Sequence, residues 1–96
     1  MTTYDVLLGD QPREYVGALD EKSTRIVKDN LRKLAENPHP GGGTGDKEKL
    51  HVDGEEMYRL HIGRTHTAFY LIDEGANEVR VVEITDIDDA HKRYGF

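Results

Sequence analysis

Residues 57–72, Met-Tyr-Arg-Leu-His-Ile-Gly-Arg-Thr-His-Thr-Ala-Phe-Tyr-Leu-Ile, constrain this chain more than any other stretch. Two apolar-alternating runs flank Gly63-Arg64, and alternation with period two is the pattern of a half-buried strand. Glycine at the first central position suits a two-residue type II′ turn. The spacing predicts a β-hairpin in which Ile62 faces Thr65, His61 faces His66, Arg59 faces Ala68 and Met57 faces Tyr70. Side chains alternate between the two faces of a strand. One face then collects Tyr58, Leu60, Ile62, Thr67, Phe69 and Leu71, a set suited to a core. The other collects Met57, Arg59, His61, His66, Ala68 and Tyr70. That second face sets two imidazoles opposite each other, with a guanidinium two residues away.

The rest of the chain supplies partners for this hairpin. Residues 2–8 favour a strand with Tyr4, Val6 and Leu8 on one face. Asp10 can cap a short helix running to about Leu19, with Pro12 tolerated in its first turn. Asp20 is the expected N-cap of a longer helix to about Glu36, and Glu21 suits the positive end of its dipole. Ile26, Val27, Asn30, Leu31 and Leu34 form one stripe at helical spacing, and the charges at Arg25, Lys28, Asp29, Arg32 and Lys33 lie largely off it. Asn37-Pro38-His39-Pro40 stops that helix. The glycine-rich run 41–45 reads as a linker: a phosphate-cradling loop would be followed by Lys-Ser/Thr and a helix, whereas Asp46 and a strand pattern follow here. Residues 47–52 alternate, Leu50 and Val52 against Lys49 and His51, and Asp53-Gly54 is a strong hairpin turn. Residues 73–77 turn into a strand over 78–84. From Asp86 a last helical turn or two is expected, with Asp86 as cap and Lys92 and Arg93 at its C-terminal end.

Strands grouped after helices indicate an α+β fold. The expected order is an N-terminal strand, a helical hairpin, then an antiparallel β-meander with a short C-terminal helix. Residues 1–96 read as a single domain, with the first strand joining the edge of the sheet by a long connection. At 96 residues and 35% hydrophobic content the core is modest. No run approaches a membrane span and no secretory signal is evident, so a cytoplasmic protein with no membrane partner is expected. The absence of cysteine excludes disulfides and thiolate metal sites. The net charge of −6 opposes non-specific nucleic-acid binding. It also suits a high-salt cytoplasm, where screening confines surface fields to ~3 Å at 1 M salt.

The order of elements resembles that of the RelE/ParE toxin superfamily of toxin–antitoxin systems, and local words are similar too. Leu-Asp-Glu-Lys-Ser-Thr-Arg-Ile-Val and Leu-Arg-Lys-Leu-Ala-Glu-Asn-Pro-His-Pro resemble the family's second helix and its exit. Lys49-Leu50 resembles the short strand that follows. Tyr58 to Phe69 resembles the family's central motif YRLRVGDYRVVY, and Val82 to Arg93 resembles its closing IGHRxDVYKR. The resemblance covers nearly the whole chain. It implies either a RelE-like endonuclease that cuts mRNA in the ribosomal A site or a ParE-like gyrase poison, each neutralised by an antitoxin peptide in a toxin–antitoxin hetero-oligomer.

Carried over by position, Arg59 matches a basic residue of the family's third strand and His61 stands for a second. His66 takes the place of the arginine of the GDYR segment, and His91 that of the C-terminal tyrosine. Ile87 stands where the closing motif has an arginine. Attack of a 2′-hydroxyl on the adjacent phosphate needs a base, an acid for the leaving 5′-oxygen, and cations for the developing charge. Histidine titrates near neutrality and can fill either proton-transfer role. Arg59, His61, His66 and His91 are therefore the candidate catalytic residues, with Lys49, Tyr70 and Arg80 as candidate substrate-binding residues, Tyr70 by stacking on a base. Arg80 is expected on the same face as Tyr70. This route calls for no cofactor and no metal. A zinc site from His51, His61 and His66 matches no finger or protease spacing. A non-catalytic binding module on the same fold, with these histidines as ordinary polar surface, remains the alternative.

Overall fold

The structure is a computed structural model describing residues 3–40, 47–63 and 65–87. Its elements are β1 (Asp5–Leu8), α1 (Asp10–Gly17), α2 (Glu21–Lys33), β2 (Lys47–Val52), β3 (Glu55–Ile62), β4 (His66–Asp73) and β5 (Glu78–Asp86). The strands form one sheet in the order β1-β5-β4-β3-β2. β2 to β5 make the antiparallel meander expected from the alternating runs. β1 returns to the far edge, parallel to β5, with Asp5 opposite Glu78 and Leu8 opposite Val81. The α+β architecture is as the sequence predicts. The glycine-rich run and the expected C-terminal helix beyond Ile87 lie outside the described residues; Asp86, its expected cap, is the last residue of β5.

The helices follow their end signals with two adjustments. Asp20 caps α2, its Oδ1 accepting from the Ser23 N–H at 2.7 Å. That bond to a backbone donor holds the Asp20 carboxyl below its ordinary range. α1 is capped by the backbone of Gly9, with no side-chain cap bond; Asp10 is its first helical residue. On α2 the buried stripe is Val27, Leu31 and, at its C-cap, Leu34. Ile26 stays 39% exposed, and the Asn30 amide turns back to its own helix, donating to the Ile26 carbonyl.

Both helices pack on one sheet face. Val16, Val27, Leu31 and Leu34 meet Leu60, Ile62, Ala68, Tyr70, Val79, Val81 and Ile84 in the main core. α1 also closes part of the sheet's backbone. β1 stops pairing with β5 at Val81, and beyond it the Gln11 amide takes over: its Nε2 donates to the Ile84 carbonyl at 2.7 Å and its Oε1 accepts from the Ile84 N–H at 2.8 Å. A side chain thus continues the ladder where no strand does, which satisfies groups that would otherwise be left at an edge.

The hairpin of β3 and β4 differs from expectation by one residue. Ile62 faces His66, His61 faces Thr67, Leu60 faces Ala68, Arg59 faces Phe69 and Tyr58 faces Tyr70. The connection therefore holds three residues, 63–65, and not two. Gly63 has φ +60, which suits a left-handed glycine in a longer loop. A slip of one residue moves every β4 side chain to the opposite face. His66, Ala68 and Tyr70 lie on the helix side, and Thr67, Phe69 and Leu71 on the outer face. By contrast, the two-residue turn at Asp53-Gly54, with φ +51 and +82, sets β2 against β3 as the sequence predicts. A bulge at Val82 on β5, opposite the step from Phe69 to Tyr70, completes the sheet.

Candidate functional site

The register divides the predicted site. Arg59 and His61 alternate on β3 with Leu60 between them, so both face outward, away from the helices. Across the sheet Arg80 stands opposite Leu71, on that same outer face. It is therefore on the other side of the sheet from Tyr70, against expectation. The outer face is not an open polar surface at its centre: Phe69, Thr67 and Thr85 are buried there, and Arg59 is only 8% exposed.

Arg59 sits directly opposite Glu48 on β2 and forms an ion pair with it. The guanidinium is almost wholly shielded, whereas the Glu48 side chain is 52% exposed. Charge compensation for a buried cation is thus supplied from the rim. Arg80 is also engaged, donating to Glu78 at 3.0 Å and lying 3.4 Å from Asp73. Lys49 stands opposite Tyr58, on the helix-side face of the sheet, and pairs with Glu56 at 3.1 Å. The hydrogen bond to Glu56 raises the Lys49 ammonium above its ordinary range.

The two histidines expected to stand side by side point to opposite faces. His66 reaches toward α1, where its Nδ1 and the Tyr15 hydroxyl lie 2.7 Å apart with the rings edge to face. The zinc alternative falls with the same geometry, because His61 and His66 cannot converge. Among the described residues no three His, Asp or Glu side chains cluster as a metal site. His91 lies outside the described residues.

Tyr70 is fully buried, stacked on Tyr58 with ring centroids 5.5 Å apart, and its hydroxyl donates to the Pro38 carbonyl at 2.6 Å. Burial pushes its phenol well above the ordinary tyrosine range, so it stays a neutral donor. No base can stack on it without opening the core. Sequence reasoning missed the Glu48 partnership, although its signal was present: counting outward from Asp53-Gly54 puts Glu48 opposite Arg59. It also missed an exposed cluster in which Glu74 accepts from Tyr4 at 2.7 Å and meets His39 Nε2 at 2.6 Å. Those bonds hold the Glu74 carboxyl below its ordinary range. Nothing in the local patterning brings residues 4, 39 and 74 together.

No helix among the described residues is long and apolar enough to cross a membrane. No protein-family profile matches the chain. No curated protein sequence matches it either. Solved structures do. The RelE–RelB complex of Pyrococcus horikoshii OT3 is similar at 21% identity, over 90% of this chain and 96% of that one, with a TM-score of 0.72. The toxin–antitoxin complex RelBE2 of Mycobacterium tuberculosis is similar at 16% identity, over 88% and 98%, also with a TM-score of 0.72. The YoeB dimer of Staphylococcus aureus is similar at 21% identity, over 86% and 95%, with a TM-score of 0.67. Near-complete coverage in both directions at such low identity is a likeness of architecture. The chain has the fold of the RelE-like toxins.

Proposed function

We propose that this protein is the toxin of a toxin–antitoxin pair, and that it acts by cutting mRNA on the ribosome. The observation that carries the reading is a RelE-like fold whose strand β3 sends Arg59 and His61 to the face away from the helices. An antitoxin partner is supported by the solved complexes of similar fold, the RelE–RelB and RelBE2 toxin–antitoxin complexes.

The chemistry is a transphosphorylation. A base takes the 2′-hydroxyl proton, the 2′-oxygen bonds to phosphorus, and the bond to the 5′-oxygen breaks as an acid protonates it. The products are a 2′,3′-cyclic phosphate and a 5′-hydroxyl. His61 is the proton-transfer group on β3, with His91 assigned the complementary role, and both steps use imidazole near its working pH. Arg59 and Arg80 supply positive charge to the phosphorane, once their carboxylates yield to the phosphate. His66 is withdrawn from the catalytic set because it belongs to the Tyr15 contact, and Tyr70 because it belongs to the core. Lys49 leaves the set as well, because it stands opposite Tyr58 on the helix side of the sheet, away from the face of Arg59 and His61.

Primer extension on an mRNA translated in a matched extract tests this. Codon-phased breaks are expected with the wild type and with His66→Ala, and none with folded His61→Ala. A folded wild type that produces no breaks at low or high salt refutes the nuclease reading. One observation favours a second reading, a non-catalytic binding module or a ParE-like gyrase poison: Arg59, Lys49 and Arg80 are each ion-paired within the chain. Growth arrest on expression with intact mRNA would select it.

A further inference from the structure

Three polar side chains lie abreast on the outer face of the sheet. The register sets His61 of β3 opposite Thr67 of β4, and Thr67 opposite Thr85 of β5. Neighbouring strands stand about 4.8 Å apart, so the three form one short row. Thr67 is 1% exposed and Thr85 8%. The Thr67 hydroxyl is buried without any hydrogen-bond partner. Threonines that face each other across strands commonly share a hydrogen bond, and this pair does not.

A buried hydroxyl left unpaired costs stability, whereas valine has the same shape and strand propensity and carries no such cost. Such a group calls for something that completes it: a water, an ion or an atom of a substrate. Its neighbours name the chemistry. A threonine hydroxyl can donate, and so can an imidazole. The next row of the same face carries Arg59, Phe69 and Glu83. Arg59 stands two residues from His61 along β3, about 7 Å away. The Glu48 carboxylate on this face is already engaged by Arg59. Two hydroxyls, an imidazole and a guanidinium suit an anion with several acceptor oxygens, which is the chemistry of phosphate. Neutral hydroxyl donors also suit a chain whose net charge of −6 opposes binding by charge alone.

We propose that His61, Thr67 and Thr85 form a phosphate-binding row, and that the Thr67 hydroxyl is its innermost contact, donating to a non-bridging oxygen. Thr85 binds beside it, and His61 faces the same group from β3. Resting on the reading of this protein as an RNA endonuclease, that phosphate is the one that is cut. Thr67 then touches the oxygens whose charge grows as the 2′-oxygen adds to phosphorus. It keeps its own proton throughout; the proton transfers stay with His61 and His91. Binding completes the hydroxyl, so the row is stabilised by its ligand and strained in polarity without it.

The test uses the full chain and two probes: inorganic phosphate, and a dinucleoside phosphate whose first sugar lacks the 2′-hydroxyl and so cannot be cut. NMR shifts of His61, Thr67 and Thr85 should move with each probe. Thr67→Val should bind both about tenfold more weakly, the loss of one hydrogen bond to a charged group. Thr67→Ser keeps the hydroxyl and should bind nearly as the wild type does. The valine variant should unfold in urea at the wild-type midpoint or above it, since it loses only an unpaired hydroxyl. A midpoint clearly below the wild type would give that hydroxyl a partner in the free chain and overturn the proposal. Phosphate binding by Thr67→Val equal to the wild type overturns it too, and leaves the hydroxyl to an ordered water. So do shifts in the row that stay unmoved at saturating phosphate. Tighter binding of the dinucleotide than of phosphate assigns the group to RNA, and equal binding overturns that assignment. A wild type that binds the dinucleotide through Thr67 yet leaves translated mRNA intact supports the row and refutes the nuclease reading alone.

Discussion

Replacing Tyr70 with phenylalanine separates a core role from an RNA-binding one. The hydroxyl donates to the Pro38 carbonyl at 2.6 Å, and both residues are fully buried. Tyr70→Phe keeps the ring and its stack on Tyr58. It removes a hydrogen bond with a net worth of ~1 kcal/mol and leaves a carbonyl without its donor, so the total loss is ~1–3 kcal/mol. For a chain of this size, each kcal/mol lowers Tm by roughly 4–8 °C. In urea unfolding followed by circular dichroism, the midpoint should fall while the slope m stays constant, since the surface exposed on unfolding hardly changes. Whatever activity the wild type has should persist per folded molecule. A variant within ~0.3 kcal/mol of wild-type stability whose RNA cleavage falls tenfold or more would refute this reasoning, because it would place the hydroxyl on substrate and not on Pro38.

Gln11→Ala strips both bonds from the Ile84 backbone and should cost ~1–2 kcal/mol, with faster amide exchange at Ile84 than anywhere else on β5. Glu48→Gln removes the carboxylate facing the buried Arg59 guanidinium. Its cost should fall between the ~1 kcal/mol of an exposed pair and the ~3 kcal/mol of a buried one. If Arg59 then takes up a phosphate it did not hold before, the salt dependence of single-stranded RNA binding should steepen by about 0.7 per decade; an unchanged slope means Arg59 does not reach the RNA. Glu74 has a carboxyl pKa lowered first by Tyr4 and then by His39. A lowered folded value means its contribution is complete above the ordinary carboxylate range of about 4.3 and is lost as pH falls through the folded value. Urea midpoints measured from pH 6 to pH 3 should therefore fall less steeply for Glu74→Gln than for the wild type, and parallel curves would refute the linkage.

Much of this molecule was legible from its residues. The Asp20 cap, the Val27-Leu31-Leu34 stripe and the Asp53-Gly54 turn each rest on local rules that operate within a few residues, and each stands in the structure as expected. The meander of β2 to β5 followed from the alternating runs, whereas the edge that β1 joins, parallel to β5, did not. Arg59 and His61 share one face of β3, as the alternation predicts, whereas Arg80 lies on that outer face and not with Tyr70. The carboxylate partners of Arg59 and Arg80 were not identified, although Glu48 was within reach of the turn arithmetic.

What the sequence could not decide was the phase of β4. Residues 67–70, Thr-Ala-Phe-Tyr, are all buried, so neither parity of the strand reads as the wet one. A strand covered on both faces loses the alternation that sets register. With Gly63 compatible with either a two- or a three-residue connection, local chemistry left the two hairpins nearly equivalent. Contacts from elsewhere in the chain chose between them: Tyr70 reaches Pro38 beyond α2, and His66 reaches Tyr15 on α1. The sequence by itself determined the elements, their order and the α+β class, because those depend on periodicity and end signals. Only the tertiary structure decided which face each β4 side chain occupies, and with it the separation of His61 from His66, because helix packing supplied the free-energy difference that the hairpin lacked.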